Sequence, residues 1–209
     1  MARVRRFLLP IAWAAACWSA ATQAGAAGPE HGRRLAAELT VMAGDVRRLQ
    51  LERPGPQERQ GLEKRLAGAL AALPLSLRRA GGDAGAVVEL RVLHERRDWT
   101  GFGTLLQALR QRYPFDARPF LAVVPSDGLT RLGADIHRTV CVGCHDAPSP
   151  GDALLPAKRL PDQLASMSRE EFAARLWLGV RGDKATAFAN PFSERELAAL
   201  IAWYATPRR

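Results

Sequence analysis

The stretch Cys141-Val142-Gly143-Cys144-His145 constrains this chain more than any other part of its 209 residues. Two thiols three positions apart can each form a thioether bond to one vinyl group of the same porphyrin. The histidine that directly follows the second cysteine then lies under the ring, where its imidazole can bind the iron. The pattern therefore predicts one covalently attached haem c, bound through Cys141 and Cys144, with His145 as the proximal axial ligand.

Two other kinds of site also use the C-x-x-C spacing. A structural zinc site needs four ligands, usually with a second cysteine or histidine pair. The only other cysteine is Cys17, and the remaining histidines, His31, His94 and His137, form no spaced pair. A thioredoxin-like dithiol is expected beside a βαβ pattern, whereas the sequence around these cysteines has a helical pattern. Haem attachment is therefore preferred, with a redox dithiol or disulfide and then a metal site as alternatives.

The first 26 residues have the pattern of a secretory signal peptide. Three arginines form a basic start, an apolar stretch covers residues 7–16, and an A-x-A-like cleavage site lies at Ala24-Gly25-Ala26. The apolar stretch contains Pro10 and is shorter than the roughly 20 residues of a membrane-spanning helix. We therefore predict cleavage of residues 1–26 and a periplasmic location. An uncleaved N-terminal segment that anchors the chain to the membrane is the alternative.

The charge of the chain bears on its partners. The formal net charge is +9, and removal of the leader lowers it to +6 because the leader contains three arginines and no acidic residue. An excess of this size, spread along the chain, favours docking on an acidic protein surface, mainly by electrostatic steering, and peripheral association with an anionic membrane. No basic block or nucleic-acid-binding motif accompanies it, so no nucleic-acid partner is expected.

Four helices are predicted over residues 30–115, where they form a small antiparallel bundle of unknown role. The first is indicated by apolar residues spaced alternately by four and three, Leu35, Leu39, Met42, Val46 and Leu49. Similar patterns indicate the others, over residues 62–73, 87–93 and 99–113. Pro54-Gly55-Pro56 is expected to end the first helix and Pro74 the second. Residues 116–126 are predicted to be a linker that packs along the surface.

Residues 127–209 contain several features of one known family. A short helix from Leu129 to Cys141 leads into the haem motif, and Gly133 lies eight residues before Cys141. Near the C-terminus, Ser193 and Glu196 form a capping box at the start of a helix. One face of that helix is apolar, with Leu197, Leu200, Ile201 and Tyr204. In these respects the segment resembles a single-haem class I cytochrome c.

The resemblance implies a fold and several roles. The whole chain is expected to be all-α, with a class I cytochrome c domain after the bundle. A glycine at position 133 would let the first and last helices of the domain cross closely, whereas His137 departs from the aromatic residue usual in the family. A middle helix over residues 167–180 would direct Phe172, Leu176 and Trp177 towards the haem. The carbonyl of Pro156 would accept a hydrogen bond from His145 and fix the imidazole.

The distal iron ligand is the point at which the chain departs from the family. The family has a methionine shortly before the last helix, but Ala185 or Thr186 occupies that place, followed by the matching aromatic Phe188. Met167 is one candidate ligand, although it lies only 22 residues after His145. The other candidate side chains are His94, His137, His31 and Met42. The last possibility is five-coordinate or water-bound iron.

The function expected from these features is electron transfer in the periplasm by a c-type cytochrome with one haem. Its partner would be a redox protein with an acidic docking surface, met by basic residues near the haem edge, Lys158, Arg159, Arg181 and Lys184. The alternative is a haem-based sensor or small-ligand-binding protein with an open distal site. A peroxidase is the weakest hypothesis, because there is one haem motif and no evident distal acid–base residue. No catalytic residue is therefore assigned, and an electron carrier is preferred to an enzyme.

Overall fold

The computed structural model describes residues 29–147, 155, 157–179 and 191–206. Within these residues the chain is all-α, as predicted, and contains no β-strand. None of the helices in this part of the chain has the length and apolar character needed to cross a membrane. The predicted leader, residues 1–26, lies outside the described residues. So do other residues named above, Cys17, Pro156, Arg181, Lys184, Ala185, Thr186 and Phe188.

The four helices predicted for the N-terminal half are confirmed. They are α1 (Pro29–Arg47), α2 (Pro56–Arg79), α3 (Ala86–Glu95) and α4 (Trp99–Arg112), and α1 continues into a π-helical turn, Arg48–Glu52. The predicted apolar stripe of α1 is buried in one core together with leucines of α2 and apolar residues of α3 and α4. The N-terminal half is therefore a helical bundle, which we call the bundle, with the core expected from its periodicity.

The expected end of α2 at Pro74 is wrong, because the helix continues to Arg79. Proline lacks the N–H group that would donate to the carbonyl four residues earlier, so its place inside a helix is costly. Burial of Leu73 and Leu77 in the bundle core offsets that cost. The helix ends instead at Arg79, and Gly81, two residues later, has a positive φ of 75° that suits a glycine after the last helical turn.

The C-terminal half begins with α6 (Asp127–Ile136), which continues through a π-helical turn, His137–Cys141, into the short α7 (Val142–His145). Later helices are α8 (Leu160–Ser166), α9 (Arg169–Leu178) and α10 (Glu194–Ala205). The Ser193–Glu196 capping box is present, and the predicted apolar face of α10 is buried. The middle helix begins at Arg169 rather than at Met167, because the Ser168 side chain accepts a hydrogen bond from the Glu171 N–H and caps the helix.

The two halves share α1. Its Leu35–Leu49 stripe lies in the bundle core, whereas Ala36 and Ala37 lie in a second core built mainly from α9 and α10. The segment predicted to be a linker contains α5 (Arg118–Leu121), and Phe120 stacks on Phe115 within that second core, with 6.2 Å between the ring centroids. Phe120 is buried in that core, so this segment contributes a side chain to the packed interior and does not only pack along the surface.

A buried ion-pair network joins the bundle to α9. The Asp45 carboxylate of α1 is 1% exposed and accepts hydrogen bonds from Arg65 of α2 and from Arg175 of α9. Arg175 also donates to Glu171 at 2.7 Å, and a side chain at Gly44 would collide with that carboxylate. Because each charge has an opposite charge as its partner, the network fixes how α9 packs on α1.

Candidate functional site

The haem motif lies at the surface, at the end of the continuous helical path through α6 and α7. Cys141 is half-buried and Cys144 is exposed, and both are free thiols. Val140 and Val142, on either side of Cys141, expose 58% and 40% of their surface. Exposed valines beside two accessible thiols form a surface that a flat apolar ring would remove from water. The residues present therefore fit a covalently attached porphyrin.

The His145 imidazole is oriented by a backbone carbonyl. Its Nδ1 lies 2.8 Å from the carbonyl oxygen of Lys158. A carbonyl can only accept a hydrogen bond, so Nδ1 carries the proton and the lone pair of the neutral ring is on Nε2. A metal-binding histidine typically has this arrangement, with one nitrogen donating to a backbone carbonyl and the other free to bind the metal.

Within the described residues, the carbonyl beside His145 Nδ1 is that of Lys158, two residues beyond Pro156. The expected acceptor, Pro156, lies outside the described residues. The Lys158 carbonyl oxygen also accepts a hydrogen bond from Nε2 of Gln163 in α8, at 2.9 Å. These two donors hold the Lys158 carbonyl between the haem motif and α8.

His137 occupies the place where the family usually has an aromatic residue. Its ring is 3% exposed and lies 4.5 Å from the Trp203 ring, between centroids. Nδ1 lies 3.0 Å from the Tyr204 hydroxyl, and Nε2 lies 3.2 Å from Oδ2 of Asp146. Both ring nitrogens are therefore engaged, and His137 is not available to bind iron.

The Tyr204 hydroxyl also forms a hydrogen bond with the thiol of Cys141. Burial raises the pKa of this thiol, the bond from Tyr204 lowers it, and the nearby Asp146 and Cys144 raise it further, so the pKa lies above its ordinary value. A redox-active dithiol needs a nucleophilic cysteine with a lowered pKa. The environment of Cys141 therefore counts against the redox-dithiol alternative.

The other distal-ligand candidates differ in how firmly they are held. Met42 is buried in the bundle core, and Nε2 of His94 lies 3.0 Å from the carbonyl oxygen of Glu63. His31 is exposed on the first turn of α1. Met167 is half-buried, in extended backbone between α8 and α9, and packs against the second core. Of these candidates, His31 is exposed and Met167 is only partly buried, so these two side chains are held least firmly.

Several residues of the site were not identified from the sequence. Lys158 contributes a backbone carbonyl from a non-helical segment and Gln163 contributes a side chain from the short α8, and neither position carries a periodic signal. Asp146 directly follows the motif, and this position next to His145 is the one local signal that could have drawn attention to it. From the sequence, Tyr204 is placed only on the apolar face of α10. It lies 67 positions from His137, and no local pattern predicts a hydrogen bond over that separation.

The described residues contain no group of three or more histidine, cysteine, aspartate or glutamate side chains placed to bind a metal ion together. Comparison with other proteins adds no assignment. No protein-family model, curated protein sequence or solved structure matches this chain. Support for the site therefore comes from the motif and from the geometry of His145 and its neighbours.

Proposed function

We propose that this chain is a periplasmic c-type cytochrome that carries one haem c and transfers electrons. Cys141 and Cys144 would hold the haem and His145 would be its proximal ligand. The observation that carries the proposal is the 2.8 Å hydrogen bond from His145 Nδ1 to the Lys158 carbonyl, beside two free thiols. This bond leaves the Nε2 lone pair available for iron, as in other metal-binding histidines.

The chemistry of attachment fits free thiols. Each S–H would add across one vinyl group: sulfur would bond to one vinyl carbon, the hydrogen would go to the other, and no oxidant would be needed. All atoms are retained, so the mass of the product is that of the mature chain plus one haem. When bound, the haem iron supplies reversible one-electron transfer, and the protein sets its potential.

The residues around the motif would then tune the site. The Lys158 carbonyl increases the donor strength of the His145 imidazole, which favours the ferric state. The hydrogen bonds of His137 to Tyr204 and Asp146 fix the turn that presents Cys141. Among the basic residues considered for docking an acidic partner, Arg159 is exposed, whereas Lys158 is paired with Glu58 at 3.0 Å. Arg159 is therefore the stronger candidate of these two.

A haem-based sensor or small-ligand-binding protein is the second candidate. The observation that favours it is the engagement of His137, His94 and Met42 in other contacts. These contacts leave two of the five side chains considered for the distal position, Met167 and His31. If Met167 and His31 also leave the iron unligated, its distal side would be open to a small ligand.

The experiment begins with protein exported through a haem-attaching periplasm. After denaturation and extraction with acidic acetone, haem colour should remain on the polypeptide, and it should be absent from a Cys141→Ser/Cys144→Ser double variant. A wild-type chain without colour would overturn the proposal. A reduced low-spin spectrum unaffected by carbon monoxide is expected for electron transfer, whereas a high-spin spectrum that shifts with carbon monoxide would favour the sensor.

A further inference from the structure

The bundle contacts the segment that provides the acceptor for His145. The Lys158 Nζ lies 3.0 Å from Oε1 of Glu58, in the first turn of α2. Leu155, three residues earlier, packs against the bundle core. Glu58 is itself paired with Arg48, which follows α1, so its carboxylate is held from a second side. One short segment thus connects the bundle to the proximal side of the haem motif.

We propose that Glu58 is a positioning residue for the haem: its ion pair with Lys158 holds the Lys158 carbonyl in place as the acceptor for His145. The inference rests on the proposed function, because it assigns a role to the bundle in tuning the proximal ligand. Glu58 touches neither His145 nor the haem-binding cysteines. It acts through the backbone of Lys158.

The backbone around Lys158 is irregular. Residues 157–159, which precede α8, are not helical, so a helical hydrogen-bond pattern does not fix the direction of the Lys158 carbonyl. Its direction depends on the contacts of this segment, which include Leu155 on the bundle, the Lys158–Glu58 ion pair and the Gln163 hydrogen bond. Loss of the ion pair removes one contact with the bundle. The hydrogen bond from His145 should then weaken on average.

A weaker hydrogen bond has a measurable consequence. It lowers the donor strength of the imidazole, destabilises the ferric state and raises the reduction potential. The stability of the fold should change little, because Glu58 and Lys158 expose 28% and 51% of their side chains and partly exposed ion pairs contribute little. A variant with a changed reduction potential but unchanged thermal unfolding would indicate a positioning role and not a general loss of stability.

The test compares the reduction potentials of the full-length holoprotein with Glu58→Gln, with Lys158→Gln and with both changes. Simple electrostatics predicts opposite shifts, because the first variant removes a negative charge and the second removes a positive charge. If Glu58 positions the Lys158 carbonyl, the reduction potential should rise in both single variants. The potential of the double variant should then be no higher than that of either single variant. Glu63→Gln is the matched control, since it makes the same charge change on the same helix but Glu63 pairs with Arg97.

Opposite shifts for Glu58→Gln and Lys158→Gln, or an equal shift for Glu63→Gln, would overturn the inference while leaving covalent haem attachment intact. A wild-type chain without covalent haem would overturn the proposed function and this inference together. A second measurement is solvent exchange of the His145 Nδ1 proton, followed by NMR in the reduced protein. It should be faster in Glu58→Gln than in Glu63→Gln, and equal rates would also contradict the inference.

Discussion

Gly133 of α6 lies directly against the backbone of Ala199 in α10. A Cβ at position 133 would overlap the Ala199 carbonyl group, 2.6 Å from its carbon, and would lie 2.8 Å from Cβ of Trp203. These obstacles are main-chain atoms and the base of a side chain, which cannot rotate away. The close crossing expected of the first and last helices in this half is confirmed, and it requires glycine.

Gly133→Ala should therefore destabilise the protein. Alanine gains about 1 kcal/mol of helix propensity over glycine. The collision with Ala199 opposes this gain, because overpacking a tight contact costs roughly 1–3 kcal/mol. The backbone cannot yield easily, so we expect a cost in the upper part of that range, about 2–3 kcal/mol, and a net loss of about 1–2 kcal/mol in the free energy of unfolding. Chemical denaturation of the holoprotein measures it.

Gly128→Ala is the control for this prediction. Gly128 lies in the first turn of the same helix, and a Cβ there would meet nothing within 4 Å. Its replacement should be neutral or slightly stabilising, because only the propensity gain remains. Equal unfolding free energies for the two variants would show that the crossing tolerates a methyl group.

Most helices could be predicted from the sequence because their signals are local. The spacing of Leu35 to Leu49 marks the buried face of α1, and Ser193 with Glu196 marks the start of α10. Pro74 shows where local signals fail: the proline predicts a helix end, but burial of Leu77 one turn later outweighs its cost.

The environment of the haem motif could be predicted only in part. The motif marks Cys141, Cys144 and His145 as the candidate haem-binding residues, since their spacing is itself what covalent attachment requires. The acceptor of His145 depends on how a loop returns to the motif, and neither periodicity nor composition describes that path. The Tyr204–His137 hydrogen bond likewise depends on the helix crossing at Gly133, which brings distant residues together.

Tyr204→Phe should weaken the packing around the motif. The change removes the hydroxyl that forms hydrogen bonds with His137 Nδ1 and the Cys141 thiol, and it leaves the buried ring nitrogen without this partner. An unsatisfied buried polar group costs about 1–3 kcal/mol, so we expect an unfolding free energy lower by that amount. Covalent haem attachment should persist, because both thiols remain.

Tyr113→Phe provides the comparison for the Tyr204 change. Tyr113, the only other tyrosine of the chain, is half-buried at the end of α4 in the bundle. Its replacement should leave the haem spectrum and the unfolding free energy nearly unchanged. Equal losses of stability in the two variants would mean that the hydroxyl of Tyr204 has no special role near Cys141.

The stability of the Asp45 network should depend on pH. Burial by itself would raise the pKa of Asp45, but Arg65 and Arg175 outweigh it and hold this pKa below its ordinary value. A carboxylate whose pKa is lower in the folded than in the unfolded state stabilises the protein fully at pH values above the unfolded-state pKa, which is about 3.9. This stabilisation is lost as the pH falls from there through the folded-state pKa. Asp45→Asn should therefore cost roughly 3 kcal/mol at pH 7 and progressively less below about pH 4.

Denaturation of the wild-type and Asp45→Asn holoproteins at a series of pH values measures this difference. Asp116→Asn is the control, because Asp116 is also paired with an arginine, which lowers its pKa to about 2, but it is exposed to solvent. Solvent screening should make its contribution much smaller. A loss for Asp45→Asn that stays constant from pH 7 to pH 3 would contradict the assignment of the effect to its charge.

Of the two methionines in the described part of the chain, Met42 is buried in the bundle core and Met167 is only partly buried. Replacement of Met167 therefore separates the two candidate functions. Leucine is close to methionine in volume, so Met167→Leu should cost under about 1.5 kcal/mol of stability. Loss of a thioether ligand should convert a low-spin iron to a high-spin, carbon-monoxide-binding form and lower the reduction potential. Met42→Leu makes the same chemical change in the bundle core and should leave the spectrum as in the wild type. A low-spin spectrum that survives in Met167→Leu would exclude this ligand, and a wild type that is already high-spin would favour the sensor.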